Sequence, residues 1–364
     1  MMEESLSQDN NQATPNSYVG TGSQSAVERE HLCVDEFIKD MVGSRALATA
    51  FELGLIDFLI QHSPCSTDGI RGTWPSDYRG LGLLLDLLTG SGVLERQGET
   101  ILLTRRFTNA LRFRDLLEAK LQFSFQVSAD VADLFTELIR DPSAFQQRAR
   151  MFQLFRYDSS PQVTPENLEQ ARRWMRITTA LTRYEAAACI GGHDFARCRR
   201  VLDIGGNSGE FALQLCRKYP HIQATVLDLP VVCEVGRQHI HGQPGAERVC
   251  FLAGDARTDD LPGGFDAVVF KSMLHDWPDD QARLLLRRAS ECLAPDGVLV
   301  IFERGPLELA AQPLPYSMLP LLLLFRSFRS PTFYVDVLKG LEFERVMVDR
   351  IDLETPFFLV AASR

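Results

Sequence analysis

Hydrophobic residues in the first half of the chain recur at helical spacing. Between about residues 30 and 180, apolar side chains return near every third or fourth position. Clear examples are Phe37, Met41, Ala48, Phe51, Leu55 and Phe58. A period near 3.6 places such residues on one face of an α-helix. We therefore predict a mainly helical N-terminal part whose apolar helix faces pack into a core.

A short β-hairpin is predicted after a leucine-rich helix in this part of the chain. Four leucines share one face of the predicted helix 81–91, and two short strands then flank the turn Gln97-Gly98-Glu99. Helix, helix and hairpin in this order outline a winged helix, a shape that can bind DNA. However, Asp86 is the only charged residue of that helix, whereas a DNA-reading helix is rich in Arg, Lys, Asn or Gln. The pattern favours packing or dimerisation, and a winged-helix regulator is the weaker alternative.

The pattern changes near Arg199, where apolar strand-like runs begin to alternate with amphipathic segments. Strands are predicted at 200–204, 223–228, 249–253, 265–271, 297–303, 343–351 and 356–363, and helices at 208–219, 230–239 and 279–293. This alternation is typical of a parallel sheet with helices on its faces. The last two strands are separated by too few residues for a crossover, so they must pair antiparallel.

The predicted fold class is therefore α/β, with two domains after a tail. Residues 29–195 are predicted to form a mainly α, winged-helix-like domain. Residues 196–364 are predicted to form a doubly wound, Rossmann-like sheet of seven strands with one reversed strand near its edge. Residues 1–28 are rich in Ser, Asn, Gln, Thr and Gly and lack the apolar stretch of a signal peptide, so we expect a disordered tail.

Composition argues against several classes of function. The 38 basic and 48 acidic residues give a net charge of −10, which disfavours broad affinity for nucleic acids or anionic membranes. The strongest apolar run, residues 318–325, is too short to cross a bilayer. Eight cysteines are scattered without a CxxC pair or metal-ligand spacing. We therefore expect reduced thiols, no metal site and a cytoplasmic location.

Candidate chemistry lies where the predicted parallel strands end. His275 follows the strand 265–271, at the edge where open α/β sheets bind ligands, and its imidazole can accept a proton near neutral pH. Gly205, Gly206 and Gly209 follow the first strand of this domain and allow the backbone to approach a ligand closely. Their spacing does not match GxGxxG, which argues against a pyrophosphate ligand.

Two acids end the next two strands. Asp228 is placed to accept hydrogen bonds from ribose hydroxyls, and Asp255 can reach an adenine amino group. Two carboxylates leave little room for phosphates and suit a nucleoside that carries a positive centre. The alternative is that both acids cap helices or form turns.

Five motifs in this order resemble those of one enzyme family. They are Leu202-Asp-Ile-Gly-Gly-Asn-Ser-Gly209, Leu227-Asp-Leu-Pro230, Gly254-Asp255, Lys271 with His275-Asp-Trp277, and Asp296-Gly-Val-Leu-Val-Ile-Phe-Glu303. The set resembles class I S-adenosylmethionine-dependent O-methyltransferases of the caffeate and hydroxyindole type, including bacterial natural-product enzymes. The similarity spans about residues 30–363, because the helical front also resembles that family's dimerisation domain. It implies a homodimer that methylates a phenolic or enolic aromatic small molecule.

The resemblance also implies a cofactor-binding set. By position, Gly205 would lie against the methionine part of S-adenosylmethionine, Asp228 would bind the ribose, and Leu229 would pack at the adenine. Asp255 and Ala256 would edge the adenine, with Ala256 replacing a methionine that is common in relatives.

Three further positions bear on that site. Lys271 would lie near the cofactor through its backbone or its side chain. Thr179 takes the place of a serine that contacts the cofactor's carboxylate, although an ordinary threonine on a helix face is an equal alternative. Asn207 stands where many relatives have a third glycine, but asparagine tolerates positive φ, so we expect the turn to survive.

The resemblance implies that His275 is the general base and that Glu303 orients it. The alternative for Glu303 is a strand-end carboxylate paired with Arg304 or another arginine. A second glutamate usually supports the histidine, and Phe328 stands at its position. That departure keeps open a protein with the same fold and cofactor that methylates nitrogen or carbon, or that catalyses a reaction without methyl transfer.

The substrate pocket is expected where the helical domain meets the sheet. Aromatic and methionine side chains that suit a flat acceptor are Phe123, Phe125, Phe135, Phe152, Phe155, Tyr157, Trp174, Met175, Met318, Phe325 and Phe328. At helical spacing, the same residues are also typical of an ordinary core.

Overall fold

A computed structural model describes residues 26–73, 77–154, 162–309 and 314–364. Side chains are described from residue 29 onward. The predicted tail, residues 1–28, therefore lies outside the described part except for the backbone of its last three residues. Phe155 and Tyr157 of the predicted aromatic set also lie outside it.

The N-terminal part is helical, as predicted. Its helices are α1 (Met41–Glu52), α2 (Leu55–His62), α3 (Thr67–Thr73), α4 (Tyr78–Gly90), α5 (Arg105–Ala110), α6 (Arg114–Arg140), α7 (Pro142–Arg148) and α8 (Pro165–Gly192). The predicted hairpin is present as β2 (Leu94–Gln97) and β3 (Thr100–Leu103). A two-residue strand, β1 (Cys65–Ser66), pairs with β3 and was not predicted, because two residues show no periodicity.

The C-terminal part is a doubly wound sheet, which confirms the predicted fold class. Its strands are β4 (Arg200–Ile204), β5 (Gln223–Asp228), β6 (Val249–Ala253), β7 (Phe265–Lys271), β8 (Leu293–Arg304), β9 (Arg345–Asp352) and β10 (Pro356–Ser363). In the described part of the chain they lie in the order β6-β5-β4-β7-β8-β10-β9. Strands β4 to β8 pair in parallel, and β10 pairs antiparallel with both β8 and β9.

Helices cover both faces of this sheet. They are α9 (Glu210–Lys218), α10 (Pro230–Ile240), α11 (Asp279–Cys292) and α13 (Pro331–Gly340), whereas α12 (Leu319–Leu323) packs on α6 of the helical part. Successive residues of β4, Val201 and Leu202, enter different buried clusters, with α8 and α9 on one face and α11 and α13 on the other. The helices α12 and α13 were not predicted from the sequence.

The order of the strands reverses at β4. From there the chain reaches β5 and β6 on one side and β7 and β8 on the other. Such a reversal opens a crevice at the carboxyl ends of the strands, where doubly wound proteins bind ligands. Gly205 and His275 both follow strands that end at this crevice.

Helix α8 joins the two halves of the protein. Thr164 caps its first turn by accepting a hydrogen bond from the backbone N–H of Asn167, and Pro165 follows at a position where its missing N–H costs nothing. Along its length, Ile177 packs with α6, while Ala186 and Ile190 pack beneath the sheet. The helix ends just before the predicted domain boundary at residue 195, which stays a prediction.

Candidate active site

His275 and Glu303 meet at the carboxyl ends of neighbouring strands β7 and β8, with Glu303 among the last paired residues of β8 and His275 in the loop after β7. The register pairs Lys271 with Phe302, which brings the residues that follow together at one edge. Nδ1 of His275 lies 2.7 Å from Oε2 of Glu303. The Glu303 side chain is fully buried and that of His275 is 10% exposed. The two predicted partners are therefore in contact at the edge where ligands bind.

Glu303 also holds the backbone of the histidine loop. Its Oε1 accepts hydrogen bonds from the N–H groups of Met273 at 2.9 Å and Leu274 at 2.7 Å. Burial alone would raise the pKa of Glu303, but His275 and these N–H groups outweigh it and hold the pKa below its ordinary value. The carboxylate is therefore ionised and fixed by three donors.

The same pair sets the protonation of His275. Burial alone would lower the pKa of its imidazole, but the carboxylates of Glu303 and Asp276 outweigh burial and raise the pKa above its ordinary value. In the neutral ring, an Nδ1–H that donates to Glu303 leaves the lone pair on Nε2. Nε2 lies 3.6 Å from Oδ1 of Asp276. His275 can thus accept a proton at Nε2 and stabilise the resulting charge through Glu303.

Phe328 covers the other side of the imidazole. Its ring is buried, and its centroid lies 5.6 Å from that of His275 in an edge-on arrangement. Phe328 therefore lies directly beside the His275 imidazole, and its correspondence to the supporting glutamate of relatives stays a prediction. The alternative pairing of Glu303 with Arg304 does not form, because the Arg304 guanidinium contacts Glu185 and Glu354 instead.

The glycine turn after β4 forms a close-fitting backbone cradle. Gly205 and Gly209 have φ of +70° and +74°, and Asn207 has φ of +54°, so asparagine sustains the turn as expected. A Cβ atom on Gly205 would lie 2.4 Å from Cγ of Met273. Because such a contact is prohibitive, only glycine fits here, with the Met273 side chain lying over the turn.

Asp228 is tied to this turn. One carboxylate oxygen accepts from the N–H of Asn207 at 2.8 Å, and the other accepts from the N–H of Leu229 at 2.8 Å. Burial raises the pKa of Asp228 to about 6, although the two N–H groups partly oppose it. Each oxygen has a second lone pair, so the carboxylate can still accept hydrogen bonds from ligand hydroxyls.

Asp255 forms an ion pair with Arg257, two residues further along the chain. Nη2 of Arg257 donates to one carboxylate oxygen at 2.6 Å and Nε to the other at 2.9 Å, and the backbone N–H of Arg257 also donates. The guanidinium lies 4.0 Å from the centre of the Trp277 ring. Asp255 therefore forms a turn, the alternative weighed from the sequence. Contact with an adenine would require Arg257 to share or release it. The Ala256 carbonyl accepts from Arg288 at 2.7 Å.

The side chain of Lys271 points to α8. Its Nζ donates to Glu185 at 2.6 Å and lies 3.2 Å from the Thr182 hydroxyl, and the side chain is 5% exposed. Arg304 bonds to the same glutamate and to Glu354. The Lys271 ammonium thus belongs to a buried ion cluster in this structure, and only its backbone lies at the strand end as the sequence suggested.

Asp203 is a buried acid that sequence reasoning missed. It lies within β4 beneath the glycine turn and is 1% exposed. Among the described residues, its Oδ2 has no hydrogen-bond partner, and burial raises its pKa to about 7 although Lys271 opposes this. The sequence held one signal for it, an acid in the otherwise apolar strand Val201-Leu-Asp-Ile204.

A cavity of about 920 Å³ lies where the helical part meets the sheet domain, as expected. Phe125, Met175 and Thr179 of the predicted residues line it, but His275 does not. Thr178 bonds to Asn207 at the glycine turn. The next residue of that turn, Ser208, lines the cavity together with Thr179, so the cavity reaches the turn. Other predicted aromatic residues, Phe123, Phe152, Trp174 and Phe325, pack in a buried cluster. They therefore follow the ordinary-core alternative.

The described ranges contain neither a candidate membrane span nor a candidate metal site. None of their helices combines the length and the hydropathy that a bilayer span requires. Within the same ranges, no group of three or more His, Cys, Asp and Glu side chains is arranged to hold a metal ion. The eight cysteines are free.

Two family models match the chain. Residues 151–340, more than half of its length, match the O-methyltransferase domain. Residues 36–112 match the O-methyltransferase dimerisation domain.

Curated relatives differ in how much of their length is matched. A human probable bifunctional dTTP/UTP pyrophosphatase/methyltransferase protein is 29% identical over 74% of this chain, which spans 43% of that protein. A 3-hydroxy-5-methyl-1-naphthoate 3-O-methyltransferase of Streptomyces sahachiroi is 36% identical over 34% of this chain and 35% of its own. The chain thus spans less than half of these two relatives. A mitomycin biosynthesis 6-O-methyltransferase of Streptomyces lavendulae is 26% identical over 90% of this chain and 92% of its own.

Solved structures share the fold over most of the chain. The mitomycin 7-O-methyltransferase has a TM-score of 0.67 at 22% identity and covers 88% of this chain and 94% of its own. Human N-acetylserotonin methyltransferase in complex with S-adenosylmethionine has a TM-score of 0.67 at 21% identity and covers 95% and 99%. At these identities the likeness establishes the fold.

Proposed function

The chain belongs to the O-methyltransferase family, and from that premise we propose that it transfers a methyl group from S-adenosylmethionine to a hydroxyl oxygen of an aromatic small molecule. The acceptor is phenolic or enolic, and the relatives named for mitomycin and naphthoate methylation support a role in natural-product biosynthesis. The contact between His275 and Glu303 at the ligand-binding edge of the sheet carries this proposal.

The residues at the crevice fit S-adenosylmethionine. The cradle at Gly205 has no room for a side chain, Asp228 keeps lone pairs for ribose hydroxyls, and the unpaired oxygen of Asp203 suits a cationic ligand. When bound, the cofactor supplies an electrophilic methyl group. We assign Gly205, Asp228 and Leu229 to its binding, together with Asp255, Ala256 and the backbone of Lys271.

His275 acts as the general base in this proposal. Its Nε2 takes the proton of the acceptor hydroxyl, which raises the nucleophilicity of that oxygen. Glu303 accepts a hydrogen bond from Nδ1–H, which keeps the lone pair of the neutral ring on Nε2, and it stabilises the imidazolium that forms. Base catalysis of this kind contributes about 10²- to 10⁴-fold to the rate.

A homodimer is the proposed assembly. The match to a dimerisation domain covers α1 and α4, and their outer face exposes Met41, Val42 and Leu83 by 53%, 60% and 60%. Cavities of about 250 and 360 Å³ open on the same face. Exposed apolar surface of this kind commonly marks an interface. We assign residues 29–195 to this dimerisation and pocket domain and residues 196–364 to cofactor binding and catalysis.

A second candidate keeps the fold and the cofactor but changes the reaction. Phe328 lies at the imidazole where a second carboxylate would support a stronger base, which favours acceptors that need little deprotonation. Methylation of nitrogen or carbon, or a reaction without methyl transfer, then replaces O-methylation. In that case His275 contributes little to turnover.

The test is methyl transfer by purified protein. We expect S-adenosylhomocysteine and an O-methylated product from S-adenosylmethionine with a panel of phenols and hydroxynaphthoates, and loss of both in His275→Ala. Product carrying the methyl group on nitrogen or carbon, or turnover unchanged in His275→Ala, would favour the second candidate. A folded protein that binds S-adenosylhomocysteine but never forms it from any member of the panel would contradict O-methylation of this acceptor class.

A further inference from the structure

The loop that carries His275 is held from a second side by Arg329. One Nη atom of Arg329 donates to the carbonyl oxygen of Leu274 at 2.9 Å, and the other donates to the carbonyl oxygen of Trp277. Its Nε donates to Oδ1 of Asp279 at 2.6 Å. The Arg329 side chain is 10% exposed. A nearly buried guanidinium therefore bonds to the backbone on both flanks of the histidine.

These contacts complement those of Glu303. Glu303 accepts from the N–H groups of Met273 and Leu274, whereas Arg329 donates to the carbonyls of Leu274 and Trp277. Glu303 thus fixes the backbone at the start of the loop, and Arg329 bridges the carbonyl groups on either side of His275. Arginine suits this task because its planar fork presents several donors in fixed directions, which a lysine does not.

The residue before Arg329 contacts the imidazole itself. Phe328 packs edge-on against the His275 ring, so adjacent residues touch both the ring and its backbone. Ser330 then caps α13 by accepting from the N–H of Thr332, which anchors the segment to a regular element. Phe328 and Arg329 are therefore attached directly to the capped start of α13, which fixes their positions relative to the loop.

We propose that Arg329 is a positioning residue for His275. Together with Phe328 it holds the imidazole by hydrogen bonds and packing, whereas a second carboxylate would hold it by charge. The inference rests on the proposed role of His275 as base. Arg329 does not touch the reacting atoms. It holds the loop so that Nε2 points toward the crevice while Nδ1 remains on Glu303.

The ion pair with Asp279 does not account for this arrangement. The Asp279 side chain is 69% exposed, and exposed ion pairs of this kind contribute little. Removal of that carboxylate leaves both carbonyl contacts in place. Asp279→Asn is therefore a matched control for Arg329→Gln, which removes the guanidinium from both carbonyls.

Steady-state kinetics give the first readout. Because a displacement of about 1 Å in an active site can cost about 100-fold, we expect Arg329→Gln to lower kcat about 100-fold. KM for the acceptor and the affinity for S-adenosylhomocysteine should stay within about threefold of wild type, since Arg329 contacts the histidine loop, Asp279 and α13 rather than the residues assigned to the cofactor. Asp279→Asn should stay within about threefold in every parameter. Arg329→Lys, which can reach one carbonyl, should fall between them and serves if Arg329→Gln does not fold.

Hydrogen exchange gives a readout that needs no turnover. The amides of Met273, Leu274 and Trp277 are bonded within this loop or to Glu303. We expect their exchange to be at least about tenfold faster in Arg329→Gln and unchanged in Asp279→Asn. Exchange and kcat that both stay within about threefold of wild type in Arg329→Gln would overturn the inference. Equal losses in Arg329→Gln and Asp279→Asn would also overturn it, because the ion pair would then be responsible. If wild-type protein methylates nothing, the proposed function fails, while the exchange result still decides whether Arg329 orders the loop.

Discussion

Two histidine–glutamate pairs in this protein have the same hydrogen-bond length but lie in different surroundings. Nδ1 of His275 is 2.7 Å from Glu303, and Nε2 of His239 is 2.7 Å from Glu210. The first pair lies at the strand ends beside the glycine turn. The second joins α10 to α9 in the helical layer and faces the cavity between the domains.

The two pairs use opposite ring nitrogens. His275 contacts its glutamate through Nδ1, and its Nε2, the nitrogen farther from the backbone, lies 3.6 Å from Asp276 and is the atom that we propose takes the proton. His239 contacts Glu210 through Nε2, and the other carboxylate oxygen of Glu210 accepts a hydrogen bond from the side-chain amide of Gln214. A short contact between imidazole and carboxylate therefore does not define a base. The two pairs also differ in position, since only the pair of His275 and Glu303 lies at the carboxyl ends of the parallel strands.

Replacement of each histidine by alanine is the strongest test of this difference. His275→Ala should lower kcat by about 10²- to 10⁴-fold, because base catalysis has that magnitude. His239→Ala should keep kcat within about threefold and lower only thermal stability. Methyl-transfer rates at saturating substrates measure both, and comparable losses of kcat in the two variants would erase the distinction.

Glu303→Gln should lower kcat by about 10- to 100-fold, since a hydrogen bond to a charged group contributes about 1.5–3 kcal/mol. The carboxylate raises the pKa of His275, and the base works only when neutral, so activity is lost as pH falls through that pKa. Without the charge the pKa falls, and the acidic limb of the pH–kcat profile should move to lower pH. A limb that stays in place in the variant would show that another group titrates.

Two glycines with nearly the same φ distinguish the effect of backbone strain from loss of the proposed cofactor site. Gly205 has φ of +70° and Gly54 has φ of +71°, but a Cβ atom would meet Met273 at the first and no atom within 4 Å at the second. Gly205→Ala should weaken binding of S-adenosylhomocysteine at least about tenfold, because overpacking costs about 1–3 kcal/mol in addition to strain. Gly54→Ala should lose only about 1–2 kcal/mol of stability. Calorimetric titration would refute the assignment if both variants bound like wild type.

Asp203→Asn should produce the smallest of these effects, and it should raise the stability of the protein rather than impair a property. The pKa of Asp203 is about 7 in the folded protein and about 4 in the unfolded chain, so folding stability falls as pH rises between these values. The variant lacks the buried charge, so its ligand-free Tm at pH 8 should rise by at least about 2 °C. Its Tm should also vary less between pH 5 and pH 8. A lower Tm at pH 8 would contradict the unpaired acid.

The fold was largely predictable because its elements are periodic. Strand β7 and the hairpin β9–β10 lie within two residues of their predicted bounds. Strand β1 and helix α12 were missed, since two and five residues carry no usable period. Helix α13 was also missed, although it begins at Pro331 behind a serine cap that the sequence displays.

The site was predictable only where a motif fixes the backbone. Placement at strand ends and family resemblance brought His275 together with Glu303. Neither carries information about side-chain direction, so the contact of Asp255 with Arg257 and that of Lys271 with Glu185 were not foreseen. Both depend on neighbours that only the folded chain supplies.

Calorimetric titration of S-adenosylhomocysteine into folded wild-type protein and into His275→Ala separates cofactor binding from base catalysis. We expect both proteins to bind one ligand per chain with affinities within about threefold, while only the wild type transfers methyl groups at the full rate. Folded wild-type protein that takes up no S-adenosylhomocysteine would show that the crevice at β4 is not a site for this cofactor, and the account would fail with it.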